Sequence, residues 1–205
     1  MRERSPMVLV VDDDRSVREA LLNLFRSLSM AVKAFGSVDD FRGFRRPDVP
    51  ACLLLDVRLP GLSGLELQHE LAAAGELLPI VFLTAFGDIQ MAVRAMKAGA
   101  EEFITKPFRE QELLEAVGRA LERARVLRAK RAERAALHKR WECLTPRERE
   151  VMERLVRGRG NKEIARELGR SAVTIKTHRR HILDKLGANN LTDLVRMSER
   201  LSRSE

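Results

Sequence analysis

Three apolar runs of strand length each end on a charged side chain. Val10-Val11 leads into Asp12, Asp13 and Asp14, Leu53-Leu54-Leu55 into Asp56, and Phe103-Ile104-Thr105 into Lys106, which is followed by Pro107 and Phe108. In a fold that alternates strands and helices, such strand ends lie along one edge of a parallel sheet, where these folds place their ligand sites. Carboxylates far apart in sequence then meet one ammonium in a single pocket. Crowded carboxylates repel one another, so the pocket calls for a hard divalent ion such as Mg2+. A lysine opposite them calls for a bound anion, and the combination points to phosphoryl transfer.

The pattern around these runs supports that fold. Apolar stretches at 7–11, 30–35, 51–55, 80–84 and 102–105 alternate with amphipathic ones. The amphipathic stretches include Val17, Leu21, Leu24, Phe25 and Leu28; Leu65, Leu67 and Leu71; Ile89, Met91, Ala92, Ala95 and Met96; and Leu113, Leu114, Val117 and Leu121. Five strands and five helices in alternation predict a doubly wound, five-stranded parallel sheet over residues 1–120. Residues 121–141, rich in Ala, Arg, Glu, Lys and Leu, predict a helical linker that extends the fifth helix.

Residues 142–205 read as an all-α domain of four short helices. Thr145, Pro146 and Glu148 form a capping box with proline at the first helical position. Asn161 is placed to cap a second helix carrying Ile164, Ala165 and Leu168 inward. Ser171 is placed to cap a third carrying Ile175, Ile182 and Leu186. Asn190 opens a fourth with Leu191, Leu194, Val195 and Leu201. Only Gly169 and Arg170 separate the second and third helices, which is helix-turn-helix spacing.

Charge divides the chain in the same way. Residues 1–120 hold 15 Lys/Arg against 18 Asp/Glu, while residues 121–205 hold 23 against 12, a net +11 in the second part. A basic second half is matched to a polyanion, either nucleic acid or an anionic membrane surface. A membrane surface is disfavoured, because the basic helices lack a broad Trp/Phe/Leu face and Trp141 is the only aromatic residue after Phe108. Cys52 and Cys143 are too few and too distant for a zinc site or a disulfide framework. With no apolar signal core or membrane-spanning run, the cytoplasm is the expected compartment.

Each site residue alone has a plainer reading. Asp12 and Asp13 read equally as helix caps, although Asp14, directly before the helical pattern, is the better cap. Asp56 alone is a loop aspartate, Lys106-Pro107 a surface turn and Phe103 a core residue. Together, with Thr84 ending the run Ile80-Val81-Phe82-Leu83, they specify one pocket.

These residues carry a resemblance. Val11-Asp12-Asp13-Asp14, Asp56 with Leu59-Pro60-Gly61-Leu62-Ser63-Gly64, Leu83-Thr84-Ala85 and Thr105-Lys106-Pro107-Phe108 resemble a two-component receiver domain of flavodoxin-like fold. Leu144 to Val151, Asn161-Lys162-Glu163-Ile164-Ala165 and Thr174-Ile175-Lys176-Thr177-His178 resemble a LuxR-type helix-turn-helix. The combination is similar to response regulators of the FixJ type, a branch that Gly87-Asp88-Ile89-Gln90-Met91-Ala92-Val93 also fits.

The resemblance implies that Asp56 accepts a phosphoryl group from a sensor histidine kinase. Asp13, Asp56 and the backbone carbonyl of Arg58 would hold Mg2+, with Asp12 acting through water. Lys106 and Thr84 would meet the phosphoryl oxygens, and Phe103 would occupy the aromatic switch position. It also implies homodimerisation on phosphorylation, through the fourth helix and fifth strand or around Leu194, Val195 and Leu201, and contact with RNA polymerase at promoter DNA. Arg58 and Phe86 depart from common residues of this branch and leave the lifetime of the phosphate open.

On the third helix of the basic domain, Val173, Lys176, Thr177 and Arg180 lie opposite Ile175, Ile182 and Leu186, and the resemblance implies that this face enters the major groove. There Lys176 and Arg180 can donate to guanine, and Thr177 can offer a methyl or a hydroxyl. Lys162, Arg170, Thr174, His178 and Arg179 suit phosphates. Two other classes compete. A phosphohydrolase with an aspartate nucleophile usually has a second aspartate two residues on, where this chain has Arg58. A receiver-like module that is never phosphorylated would not need the complete set of Asp12, Asp13, Asp56, Thr84 and Lys106.

Overall fold

The computed structural model describes residues 5–85 and 89–202. Packing divides the chain into two units, one ending at Arg128 and the other beginning at Ala129. In the first unit, strands β1 (Met7–Val11), β2 (Ala31–Phe35), β3 (Ala51–Asp56), β4 (Ile80–Thr84) and β5 (Glu102–Thr105) alternate with helices α1 (Arg15–Ser27), α2 (Val38–Gly43), α3 (Gly64–Ala73), α4 (Ile89–Lys97) and the first part of α5 (Glu110–Glu142), whose last turns belong to the second unit. All strand pairs are parallel, in the order β2-β1-β3-β4-β5.

Alternate residues of each strand enter different cores. Val8, Val10, Cys52, Leu54, Val81, Leu83 and Ile104 pack with Leu21 and Phe25 of α1 and with Leu113, Val117 and Leu121 of α5. Leu9, Val11, Leu53, Leu55, Ile80 and Phe82 pack with Val38 and Phe41 of α2, Leu67 of α3 and Ala95 of α4. Both faces are covered, so the strands are apolar throughout rather than alternating. The strand order reverses at β1, whose neighbours are β2 on one side and β3 on the other. The carboxyl ends of β1 and β3 therefore flank the crevice at the switch point, where folds of this type bind ligands.

The stretch 121–141 is helical and continues α5 without a break to Glu142. In α4, Ala95 is buried, but Ile89 is 84% exposed and Met96 and Val93 each 44% exposed. The apolar pattern read from the sequence therefore does not mark a single inward face. The helix carries apolar side chains on its outer side as well.

The second unit contains α6 (Pro146–Val156), α7 (Asn161–Glu167), α8 (Ala172–Leu186) and α9 (Leu191–Ser202). Its core joins Leu144, Val151, Met152, Leu155, Ile164, Ile175, Ile182, Leu186 and Leu194, with Trp141 from the end of α5 packed against it. Leu194 is fully buried in this core, so it offers nothing to a partner, unlike the half-buried Val195 and Leu201. Thr145 and Ser171 cap α6 and α8 as their sequences predict. The cap of α7 is Gly160 instead of Asn161. Glu163 Oε2 reaches back to accept the Gly160 N–H at 2.8 Å. That supplies the capping bond from inside the helix, and the preceding residue needs only an extended backbone. Gly187 ends α8 with φ 70°, where an L side chain is strained. A Cβ there would also lie 2.9 Å from the Arg140 guanidinium, which donates to the Leu186 carbonyl at 3.1 Å.

Candidate phosphoacceptor pocket and nucleic-acid interface

The pocket is assembled from strand ends. Asp12 directly follows β1, Asp56 closes β3, Thr84 closes β4 and Lys106 directly follows β5. The Lys106 ammonium lies 2.6 Å from Asp12 Oδ2 and 2.6 Å from Asp56 Oδ2. The other oxygens are held locally, since Asp14 N donates to Asp12 Oδ1 at 3.0 Å and Arg58 N to Asp56 Oδ1 at 3.0 Å. Asp14, not Asp12 or Asp13, caps α1 by accepting from the Ser16 and Val17 N–H groups. Asp13 is thereby left exposed at the rim of the pocket. Carboxylate oxygens of Asp12, Asp13 and Asp56 all lie within 4.8 Å of one another.

Burial dominates the Asp12 carboxyl and pushes its pKa above the ordinary carboxylate range, despite the opposing hydrogen bond and charge of Lys106. For Lys106 burial also works against the charged form, but the hydrogen bonds and charges of Asp12 and Asp56 outweigh it and hold the ammonium above the usual lysine range. Three carboxylates facing one ammonium leave an excess of negative charge. The donors are all oxygens brought together from two strand ends, a set that fits Mg2+.

Thr84 is fully buried, and its carbonyl accepts the Lys106 N–H at 2.7 Å. That bond ties the lysine's backbone to the end of β4, and the Lys106–Pro107 peptide bond is cis. Phe103 is half-buried on the α4 side of the sheet, its ring centroid 6.1 Å from that of Phe82. Phe86, Gly87 and Asp88 lie outside the described residues.

Two further residues support the pocket. Arg18 of α1 donates to the Asp12 carbonyl at 2.7 Å and lies against Gly36. Gly64 packs directly under β3, where an added Cβ would sit 2.2 Å from the Asp56 carbonyl oxygen. Its N–H donates to Val57 O at 2.9 Å. Gly64 was visible in the sequence as part of a motif, but its role depends on a contact across the fold. Nothing local marks Arg18.

In the second unit, α7 and α8 form the helix-turn-helix. Lys162, Arg170, Lys176, Thr177 and Arg180 are exposed, whereas Thr174, His178 and Arg179 are half-buried. Arg180 lies 3.9 Å from Asp184, a surface pair of small energetic weight. Among the described residues no ion pair engages Lys162, Arg170 or Lys176. The 3% exposed Glu148 joins α6 to α8. It accepts from Lys185 Nζ at 2.7 Å and from Thr145 N at 2.8 Å.

Comparison with known proteins finds two families in the chain. Residues 8–118 match the response regulator receiver domain, and residues 142–198 match the bacterial regulatory proteins of the luxR family. Nodulation protein W of Bradyrhizobium diazoefficiens is 50% identical over 97% of this chain and 87% of its own length. Transcriptional regulatory protein FixJ of Azorhizobium caulinodans is 40% identical over 93% of this chain and 90% of its own. The solved structure of the response regulator StyR superposes with a TM-score of 0.82 at 48% identity, covering 96% of this chain and all of that one. No helix among the described residues is long and apolar enough to cross a membrane.

Proposed function

The chain belongs to the response regulators that join a receiver domain to a LuxR-family DNA-binding domain, transcriptional regulators and not enzymes, and we propose that phosphorylation of Asp56 by a sensor histidine kinase switches its binding to promoter DNA. One observation carries this reading. The Lys106 ammonium stands 2.6 Å from both Asp12 and Asp56, at the end of a sheet where three carboxylates converge.

In the proposed reaction an Asp56 carboxylate oxygen attacks phosphorus, an Oδ–P bond forms and the P–N bond to the kinase histidine breaks. Lys106 passes from carboxylate to phosphoryl oxygen, and the Thr84 hydroxyl donates to another. Mg2+, held by Asp13, Asp56 and the Arg58 carbonyl with Asp12 acting through water, would supply neutralising charge. Withdrawal of Thr84 toward the phosphoryl group leaves room for Phe103 to turn inward, which biases the surface of α4 and β5.

The exposed strip Ile89, Val93 and Met96 supports a homodimer through that surface. The proposed division is a receiver over 1–120, a helical linker over 121–141 and a DNA-binding domain over 142–205. The regulator would work in the cytoplasm on double-stranded promoter DNA, in contact with RNA polymerase. Lys176, Thr177 and Arg180 would meet bases, and Lys162, Arg170, Thr174, His178 and Arg179 phosphates.

Intact-protein mass after incubation with acetyl phosphate and Mg2+ tests the site. The wild-type chain should gain one phosphoryl group, and Asp56→Asn or a chelator should prevent it. Labelling that survives Asp56→Asn would overturn the assignment.

A further inference from the structure

Val173 is 75% exposed on the second residue of α8, a place where folding gives no reason for it. Valine is a weaker helix former than alanine, and an exposed valine removes little apolar surface from water. The cap is supplied by Ser171, whose side chain accepts the Thr174 N–H, so Val173 is not needed to start the helix. One turn further on, the Thr177 hydroxyl donates to the Val173 carbonyl at 3.2 Å. That bond engages the hydroxyl within the helix and leaves the methyl as the part of Thr177 free to meet a ligand. The Thr174 hydroxyl is likewise engaged, 2.9 Å from that of Ser171. Val173 and the Thr177 methyl therefore form an apolar strip with Lys176 and Arg180 on the same exposed face.

The major groove offers one apolar group to such a strip, the 5-methyl of thymine. We propose that Val173, with the methyl of Thr177, reads thymine methyl groups, while Lys176 and Arg180 donate to neighbouring base edges. The inference rests on the reading of α8 as the helix that enters DNA, and it assigns Val173 a specificity role which its chemistry as a hydrocarbon gave no polar motif to announce. A protein partner is the weaker match, because a single valine among cations is too small an apolar patch for stable docking.

Uracil tests this directly, since it differs from thymine only by the methyl. The full chain, with acetyl phosphate and Mg2+, is used to select duplexes from a randomised pool. Each thymine of the enriched duplex is then replaced by uracil in turn. At one thymine or more, uracil should weaken wild-type binding about fourfold, the worth of one methyl group removed from water. Val173→Ala should lose a similar factor on the thymine duplex and become indifferent to uracil at that position. Thr177→Ser, which removes only a methyl, should do the same at an adjacent thymine. Thermal unfolding of Val173→Ala should match the wild type, because the side chain is exposed and alanine favours the helix. Wild-type DNA affinity in Val173→Ala, or an equal loss on thymine and uracil duplexes, overturns the proposal and leaves the DNA-binding reading standing. A pool that enriches no sequence overturns both.

Discussion

At the residue scale the pocket turns on Lys106, a cation shared by two buried carboxylates. Lys106→Ala should slow phosphorylation by acetyl phosphate about a hundredfold, since one developing phosphoryl charge loses its donor. Time courses of intact mass measure this, and a variant with wild-type rate and wild-type DNA response would remove Lys106 from the site. Gly64→Ala should cost about 2 kcal/mol in urea unfolding, because the new Cβ meets the Asp56 carbonyl oxygen and β3 must shift. Phosphorylation should slow in parallel, and an unchanged stability with an unchanged rate would show that β3 yields freely. The carboxylates and the lysine were legible in the sequence because each closes an apolar run, and strand ends in such folds converge. Gly64 and Arg18 act through contacts between segments remote in sequence, so neither periodicity nor local motif could assign their roles.

At the scale of elements, Glu148 ties the start of α6 to α8. Burial opposes its charge, but the hydrogen bonds from Lys185 and Thr145 prevail and hold its pKa below the ordinary carboxylate range. A depressed folded pKa contributes stability above the unfolded value of about 4.3, and that stability is lost as pH falls through the folded value. Glu148→Gln should therefore be less stable than the wild type at neutral pH, by about 1–3 kcal/mol. The gap should close as the pH is lowered below about 4. The fluorescence of Trp141, the one tryptophan, reports urea unfolding of this core. A gap of constant size across that range would show that the carboxylate charge contributes nothing. The capping box that holds Glu148 was readable from Thr145-Pro146-Arg147-Glu148, but its partner Lys185 was not, because the pairing needs the packed domain. Gly160 replaced Asn161 as the cap of α7 for a similar reason, with the decisive bond coming from Glu163 within the helix. In α4 the periodicity located the helix but not its buried side, since Ile89, Val93 and Met96 are apolar and exposed.

For the whole molecule, the fold class was legible from the alternation of strands and helices, and the separation into two units from the contrast of acidic and basic halves. Phosphorylation should convert monomers to dimers through the α4 strip. Val93→Asp should still accept phosphate yet sediment as a monomer, whereas dimerisation equal to wild type would place the contact elsewhere. A two-fold dimer in turn requires an operator of inverted half-sites. On the proposed function, the chemistry at Asp56 governs the affinity of the second unit for DNA. The most direct measurement is fluorescence anisotropy of a selected duplex titrated with the full chain, with and without acetyl phosphate, for the wild type and Asp56→Asn at fixed salt. Acetyl phosphate should tighten binding by the wild type and leave Asp56→Asn unchanged. An equal gain by both proteins would contradict it.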